Sequence, residues 1–396
     1  MRWPGSCCLA NGPAWNMRGV FFFLIFAGYL LACFYVALRG WSVLPTIRWV
    51  KALYLFFMIY LVFGYLLGMA LHKHLPVWGV KVTEYVGSTW FIALIYLLMA
   101  VVLVDVIRLL HHWLHFLPSR ASTTTLRLRQ YIALFILIAI GVTFYGGHYR
   151  FMRPKKVDIT IEAGEQFMTI VFATDLHLGS MLGRKSAQRF VDVINALHPD
   201  LILFGGDVVN ADLRYLQEHG IEQVLQQLQA PWGVYTVLGN HEYIGGNPEA
   251  SSAFLESGGV CVVRDSVVEV KDMYGKVILQ IIGRDDRINR NRKSLHDLCA
   301  ELPDHNSLPV ILLDHQPYHL DEVVEHRITL MLSGHTHQGQ VWPVSCLVTQ
   351  MYMLSHGFLQ KGESVFYVSS GLGIWGPPFR IGTQSEVAVI HLKPKR

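Results

Sequence analysis

The hydrophobic pattern of the chain changes near residue 150. Before that point, four long and nearly uninterrupted apolar runs occupy residues 20–38, 52–71, 89–104 and 131–145. About 20 apolar residues are needed for a helix to cross about 30 Å of hydrocarbon, and the two shorter runs reach this length with their neighbours. The pattern therefore predicts an all-α transmembrane anchor of about four helices over residues 1–150.

From residue 157 onward, short apolar runs alternate with amphipathic segments. The short runs predict buried strands at residues 169–173, 201–204, 234–238, 276–282, 310–313 and 330–332. Helical spacing predicts helices at residues 185–196, 212–229, 248–256 and 294–301, the last capped by Ser294. Residues 157–396 are therefore expected to form one domain of the α/β class.

The composition agrees with a membrane protein. Of the 396 residues, 52% are hydrophobic and 16% are charged, and the mean hydropathy is +0.34. The net charge of +4 gives no reason to expect a nucleic-acid partner, because the basic residues cluster at the proposed membrane boundaries. Near the end of the third run, Asp105 precedes Arg108 by one turn, which favours a boundary ion pair over an ion path.

The expected location is a multi-pass position in the cell (inner) membrane. Basic residues are almost equally divided between the loops on the two sides, so they do not decide the orientation. The soluble part has an odd number of cysteines, Cys261, Cys299 and Cys346, and no Asn-x-Ser/Thr acceptor follows residue 150. Both observations lean toward a cytoplasmic catalytic domain with reduced thiols.

Five short polar clusters follow apolar runs in the second part of the chain. They are Asp175-Leu176-His177, Gly206-Asp207, Gly239-Asn240-His241-Glu242, Asp314-His315 and the segment from Ser333 to Gln340. In layered α/β sheets the loops at the carboxyl ends of strands converge, so distant residues can meet there. Their imidazole, carboxylate and amide groups suit two hard or borderline divalent metals. The clusters predict a dinuclear hydrolase centre.

In this order, the five clusters resemble the motifs of the calcineurin-like metallophosphoesterases. Segments 283–286, 367–373 and 376–380 are similar, more narrowly, to the bacterial membrane-associated branch, the transmembrane metallophosphoesterases. The resemblance covers residues 165–392 and implies a four-layer αββα sandwich. It also implies hydrolysis of a phosphoester or phosphoanhydride by a metal-bound hydroxide.

The resemblance further implies how the site residues are used. One metal would be held by Asp175, His177, Asp207 and His337, and the other by Asp207, Asn240, His315 and His335. Asp207 would bridge the two ions, which are expected to be Mn, Fe or Zn. Besides Asp207, His241 would be catalytic as an acid and charge stabiliser, and Glu242 would orient a histidine. Many relatives carry an acidic residue where this chain has Asn210.

Three further assignments stay open between a functional and a structural reading. Arg380 could contact phosphate or pack as a structural arginine. Arg284 and Arg287 begin a basic run that could hold an anionic headgroup or form a solvated loop. Residues 341–354, which include Trp342 and Met351, could be core or could dip into the bilayer.

The expected partners are the lipid bilayer and a lipid-linked or amphiphilic phosphate such as a phospholipid, because a membrane tether concentrates the enzyme on such substrates. The alternative is a transporter or channel whose soluble domain senses a metal or a nucleotide. That alternative requires polar residues within the spans, and those found are nearly all Tyr, Ser, Thr or Gly.

Overall fold

Four long helices form the N-terminal part of the chain. The computed structural model describes residues 17–71, 74–115, 126–164, 166–210, 213–303 and 308–394. Within them the first helices are α1 (Met17–Trp41), α2 (Arg48–Leu71), α3 (Val77–Leu114) and α4 (Leu126–Met152). All four are long and apolar enough to cross a membrane. They exceed the predicted spans because each helix continues through polar and basic residues beyond its apolar run.

The chain divides into two compact units. The first comprises residues 1–67 and 86–140, and the second comprises residues 68–85 and 141–396. This division differs from the predicted boundary at residue 150, because the last turns of α4 belong to the second unit. There Gly147 and Phe151 are buried, and the Gly147 carbonyl accepts a hydrogen bond from the backbone N–H of Arg380 at 3.0 Å.

The second unit contains two six-stranded sheets. The first sheet has the strand order β1-β12-β2-β3-β4-β5 and consists of β1 (Lys155–Glu162), β2 (Met168–Ala173), β3 (Leu201–Phe204), β4 (Val234–Thr236), β5 (Cys261–Val262) and β12 (Glu386–Lys393). The second has the order β10-β11-β9-β8-β7-β6 and consists of β6 (Ser266–Lys271), β7 (Val277–Gly283), β8 (Val310–Leu313), β9 (Leu330–Ser333), β10 (Gly357–Lys361) and β11 (Ser364–Val368).

Short helices connect the strands. They are α5 (Arg184–Asn195), α6 (Arg214–Glu218), α7 (Ile221–Leu225), α8 (Asn240–Ile244), α9 (Pro248–Ser257), α10 (Leu295–Ala300), α11 (Leu320–Glu325) and α12 (Val344–Met351), with a 3₁₀ turn at His337–Gly339. β2, β3, β4 and β5 run parallel, as do β7, β8, β9 and β11. Parallel strands bring their carboxyl ends to one edge of each sheet.

Alternating side chains of the central strands produce the four layers. Ile170 and Phe172 of β2 pack between the two sheets, whereas Val171 and Ala173 face the layer that contains α5, α7 and α9. In the second sheet, Ile311 of β8 faces the inter-sheet core, and its neighbours pack against α10 and α11. The predicted α/β sandwich with two central sheets and two helical layers is confirmed.

Individual elements agree with the predictions to different degrees. The strands at residues 201–204 and 310–313 match those predicted. Ser294 caps α10 as expected, because its hydroxyl accepts a hydrogen bond from the N–H of Asp297 at 3.1 Å. The long helix predicted at residues 212–229 was wrong: the chain forms α6 and α7 instead. Gly220 separates them with a φ of 59°, which no α-helix accommodates.

Replacing Phe172 with alanine is expected to lower the free energy of unfolding by about 3–5 kcal/mol, since the ring is fully buried between the sheets (0% exposed) and would leave a cavity. Denaturant unfolding of the purified protein, followed by tryptophan fluorescence, measures the change. The matched control is Tyr274→Ala, whose aromatic ring is 87% exposed, for which a change within about 0.5 kcal/mol is expected. Equal losses in both variants would contradict this core assignment.

Candidate metal centre

The sequence-predicted site residues meet at the carboxyl ends of β2, β3, β8 and β9. Asp175 and His177 follow β2 directly, Asp207 follows β3, and His315 follows β8. Asn240 is the first residue of α8, immediately after the strand region of β4. Because each connection from strand to ligand is only a few residues long, the rigid sheets determine where these side chains lie.

One group of donors is formed by Asp175, His177 and His337. The Nε2 atoms of His177 and His337 lie 3.0 Å apart. Asp175 Oδ1 is 3.5 Å from His337 Nε2 and 4.0 Å from His177 Nε2. The three donor atoms therefore surround one small volume of the size that a metal ion occupies.

A second group is formed by Asp207, Asn240, His315 and His335. Asn240 Oδ1 lies 2.7 Å from His335 Nδ1 and 3.2 Å from His315 Nε2. Asp207 Oδ2 lies 3.2 Å from the same His315 nitrogen. The Nδ1 atom of His315 is 2.8 Å from the carbonyl of Gly205, so an Nδ1–H donor leaves Nε2 free to accept a metal.

The Asp207 carboxylate is shared by the two groups. Its Oδ2 lies 3.2 Å from His315 Nε2 and 3.7 Å from His177 Nε2, and its Oδ1 accepts the backbone N–H of His241 at 2.8 Å. His177, Asp207 and His241 also form a third group of neighbouring donors. A single buried carboxylate thus faces both histidine pairs, as a bridging ligand does.

The backbone is strained where these residues lie. Asp175, His177, Asp207, His335 and His337 all have positive φ, between 46° and 68°. Non-glycine residues seldom adopt this conformation, and each instance costs of order 1–3 kcal/mol. The surrounding sheets therefore hold five site residues in conformations that the local sequence disfavours, as is common at functional sites.

Burial determines the protonation of the site. It lowers the pKa of His177 to about 3 and that of His337 well below its usual value, so both imidazoles are neutral at neutral pH. Burial also raises the pKa of Asp175 to about 7. Burial opposes ionisation of Asp207 and His315 as well, but their mutual attraction outweighs it, so Asp207 stays an anion and His315 holds a proton.

These groups fit divalent cations. The Nε2 atoms of His177 and His337 lie 3.0 Å apart. Their lone pairs would repel each other at this distance unless a proton or a cation lay close to both nitrogen atoms. Neutral imidazole and ionised carboxylate are also the forms that bind metals, and a cation would replace the proton on His315. The donor set of nitrogen and oxygen atoms is compatible with Mn, Fe or Zn.

Glu242 lies beside the site. We expected it to orient a histidine, but its hydrogen-bond partners are backbone N–H groups. Its carboxylate accepts hydrogen bonds from the backbone N–H groups of Gly239 (2.8 Å), Val209 (3.0 Å) and Asp207 (3.1 Å). Burial, followed by the charge of Asp207, raises the pKa of Glu242 to about 8. Glu242 therefore ties the loop after β3 to the start of α8 and so positions Asp207 relative to Asn240.

Asn210 is a site residue that the sequence revealed only as a departure from the usual pattern. Its Oδ1 lies 2.8 Å from Nδ1 of His241, so it accepts a hydrogen bond from the imidazole Nδ1–H. The Nε2 atom of His241 then remains available on the opposite side of the ring. The amide replaces an acidic residue without removing the acceptor.

The three candidate arginines lie in different environments. Arg380 is fully buried and donates to the carbonyls of His337 and Gly373, each at 2.8 Å, and to that of Ser370. This geometry favours a structural role. Arg284 is also buried and pairs with Asp314 at 3.3 Å. Arg287, by contrast, is exposed at the rim, with its guanidinium 4.1 Å from the ring centre of Tyr318.

The two-sheet fold and the paired donor groups are those expected of a phosphoesterase with divalent metal ions. Residues 168–339 match the family model described as calcineurin-like phosphoesterase. A metallophosphoesterase of Helicobacter pylori is 32% identical over 287 residues, which cover 71% of this chain and 74% of that protein. The chain belongs to the calcineurin-like phosphoesterase family, which implies hydrolysis of phosphoesters and the use of divalent metal ions.

One further relative aligns with nearly the whole chain, and another is named as a transmembrane protein. A metallophosphoesterase of Campylobacter jejuni is 28% identical over 392 residues, covering 94% of this chain and 100% of that protein. The transmembrane protein with metallophosphoesterase domain of Danio rerio is 31% identical over 278 residues, covering 67% of this chain and 63% of that protein. Together with the four apolar helices, these relatives indicate a membrane protein.

The variant Gly239→Ala is expected to lower metal content and turnover about 10–100-fold, because the added methyl group would overlap the Asp207 carboxylate. Elemental analysis of the purified protein and hydrolysis of a chromogenic phosphoester measure the two effects. Gly146→Ala is the control, since a methyl group there meets no atom of the described residues within 4 Å. Full metal content in Gly239→Ala would refute the shared position of Asp207.

Proposed function

We propose that this chain is a membrane-anchored phosphoesterase with two divalent ions, which hydrolyses a lipid-linked or amphiphilic phosphoester or phosphoanhydride. The observation that carries the proposal is the position of Asp207 Oδ2, within 3.7 Å of His177 Nε2 and 3.2 Å of His315 Nε2. When bound, two cations would neutralise the phosphoryl charge and supply the hydroxide nucleophile.

The proposed ligand sets keep the division made from the sequence. Asp175, His177 and His337 serve one ion, Asn240, His315 and His335 serve the other, and Asp207 serves both. Because every position offers a nitrogen or oxygen donor at the converging ends of strands, the set supports hydrolysis rather than the transporter alternative. Mn, Fe and Zn are all suited to these donors, and we propose manganese as the first to test.

His241 is proposed as the acid and charge stabiliser for the leaving group. Its Nδ1–H is engaged by Asn210, which directs Nε2 away from that partner. Burial lowers the pKa of His241, while the nearby charge of Asp207 acts in the opposite direction. A proton at Nε2 would be released readily to a leaving oxygen, since a desolvated imidazolium is a stronger acid than one in water.

The surface beside the site supports an amphiphilic substrate. Every residue of α12 is at least partly exposed, and α12 begins only seven residues after His337. Among its large side chains, Leu347 and Met351 are exposed, as are the neighbouring Trp342 and Met353. An exposed cluster of large apolar side chains favours contact with a lipid surface. We therefore propose that residues 341–354 touch the bilayer.

Two aromatic residues extend this surface to the metal centre. The ring of Trp375, which is 54% exposed, lies 6.1 Å from the ring of His241. On the other side, Tyr352 contacts the ring of His335 at 6.3 Å and that of Tyr318 at 5.1 Å. We propose that lipid groups pack against these rings.

Arg287, stacked on Tyr318, is proposed to attract the anionic part of the same substrate. An exposed guanidinium at the rim can pair with phosphate through two parallel N–H donors.

For location, we propose a multi-pass inner-membrane protein with the catalytic domain in the cytoplasm. Cys261, Cys299 and Cys346 are free thiols, which is usual in a reducing compartment.

Removal of metal and resupply of single ions to the full-length protein test the mechanism. Mn, Fe and Zn are added separately, and turnover of a panel of lipid phosphates and soluble phosphoesters is measured. Asp207→Asn is expected to abolish metal-dependent turnover, because it removes the shared charge. His241→Ala is expected to lower kcat about 10²–10⁴-fold with both ions retained. Wild-type rates in both variants would disprove the mechanism.

A charge on α12 tests the lipid-surface contact. Met351→Glu is expected to lower turnover of vesicle-borne substrate about tenfold. Burial of a methionine side chain in the lipid surface would stabilise the contact by about 1.5–3 kcal/mol, and a charged carboxylate would not provide this stabilisation. Turnover of a soluble chromogenic phosphoester should stay unchanged. Met273→Glu is the matched control, since Met273 is 84% exposed in the turn between β6 and β7. Unchanged vesicle turnover in Met351→Glu would refute the contact.

A further inference from the structure

The first unit contains a cavity that the phosphoesterase site does not use. It has a volume of about 450 Å³, which lies within the range of small-molecule sites. All four helices contribute to its wall, and most of the side chains are apolar, such as Val36, Leu61, Val101 and Ile136. Water gains few hydrogen bonds in such a space, so an apolar group is the favoured occupant.

Charged side chains line one end of this cavity. They are Arg39, Asp105, Arg108 and Arg129. Arg39 lies near the end of α1, Asp105 and Arg108 near the end of α3, and Arg129 near the start of α4. In helices that cross a membrane in alternating directions, these positions fall on the same side of the bilayer. The cavity is therefore apolar along its length and basic at one membrane boundary.

The charged side chains that line this end have a net positive formal charge. Asp105 forms one ion pair with Arg39 and another with Arg108 at 3.5 Å. Tyr35 donates a hydrogen bond from its hydroxyl group to the same carboxylate. The sequence predicted the pair with Arg108, but Arg39 is 66 positions away and was not foreseen. Three guanidinium groups and one carboxylate leave a formal excess of two positive charges.

We propose that this cavity binds one anionic phospholipid, with an acyl chain in the apolar part and the phosphate at Arg39, Arg108 and Arg129. Anionic lipid headgroups are attracted to basic side chains at a membrane boundary, and phosphate accepts the paired N–H donors of guanidinium groups. The apolar wall of the cavity would add affinity for the acyl chain of a lipid, which a free phosphate does not have. The site is separate from hydrolysis, so it stands whether or not the proposed reaction is correct.

Native mass spectrometry of the full-length protein in detergent micelles tests this inference. Phosphatidylglycerol, phosphatidylcholine and glycerol 3-phosphate are titrated separately, and the fraction of protein carrying one added molecule gives each dissociation constant. Phosphatidylglycerol is expected to bind once and at least tenfold more tightly than phosphatidylcholine. Glycerol 3-phosphate, which has the same phosphate without the acyl chains, is expected not to bind at these concentrations.

Two matched pairs of variants locate the lipid. Ile136→Trp fills the cavity and is expected to weaken phosphatidylglycerol binding at least tenfold, whereas Ile138→Trp, on the same helix but outside the wall, is expected to leave it unchanged. Arg108→Gln should remove the preference for phosphatidylglycerol over phosphatidylcholine, and Arg127→Gln should retain it because Arg127 does not line the cavity.

Three results would overturn the proposal. The first is equal binding of phosphatidylglycerol by Ile136→Trp and Ile138→Trp. The second is a preference for the anionic lipid that survives Arg108→Gln, which would place the lipid on the outer surface of the helices. The third is binding of glycerol 3-phosphate as tight as that of the lipid, which would assign the basic end to soluble phosphates.

Discussion

The burial of ionisable groups at the end of the sheets is the constraint on which the site depends. Asp175, Asp207 and Glu242 are almost completely enclosed, together with His177 and His315. Isolated buried charges are strongly unfavourable, so such a cluster persists only when its members are paired, hydrogen-bonded or bound to cations. Asp207 meets this requirement by pairing and hydrogen bonding, because it lies close to His177 and His315 and accepts the backbone N–H of His241.

The same constraint explains why the fold has two rigid central sheets. Five site residues have positive φ, and loops without support would relax to conformations of lower energy. Here each loop is anchored between a strand with a fully buried core and a helix or turn. Glu242 adds a cross-connection, because one carboxylate accepts hydrogen bonds from two different loops. Packing energy in the sheets is thus used to maintain strained, charged geometry at their edge.

The sequence predicted the parts of this arrangement that are encoded locally. Strand-ending motifs such as Asp175-Leu176-His177 are visible because apolar runs and polar ends are adjacent in the chain. Interactions that depend on tertiary packing were not predicted. Examples are the backbone N–H groups that donate to Glu242 and the hydrogen bond from His241 to Asn210, which lies 31 positions away. Strands β1 and β12 were missed too. They pair with each other across the whole domain, and β1 has a polar exposed face.

The proposed substrate class gives the apolar helices and the phosphoesterase domain a common role. Exposure of Trp342, Leu347 and Met351 close in sequence to His335 and His337 is unfavourable in water, because each such side chain is more stable by about 1.5–3 kcal/mol when buried. Trp342, Leu347 and Met351 do not lie in the core, since all three are exposed, whereas Val341 of the same segment is buried. In the proposed function a lipid surface covers α12, which would remove this cost and bring amphiphilic phosphates to the same face of the domain. One physical cause would then account for both the exposed helix and the proposed substrate class.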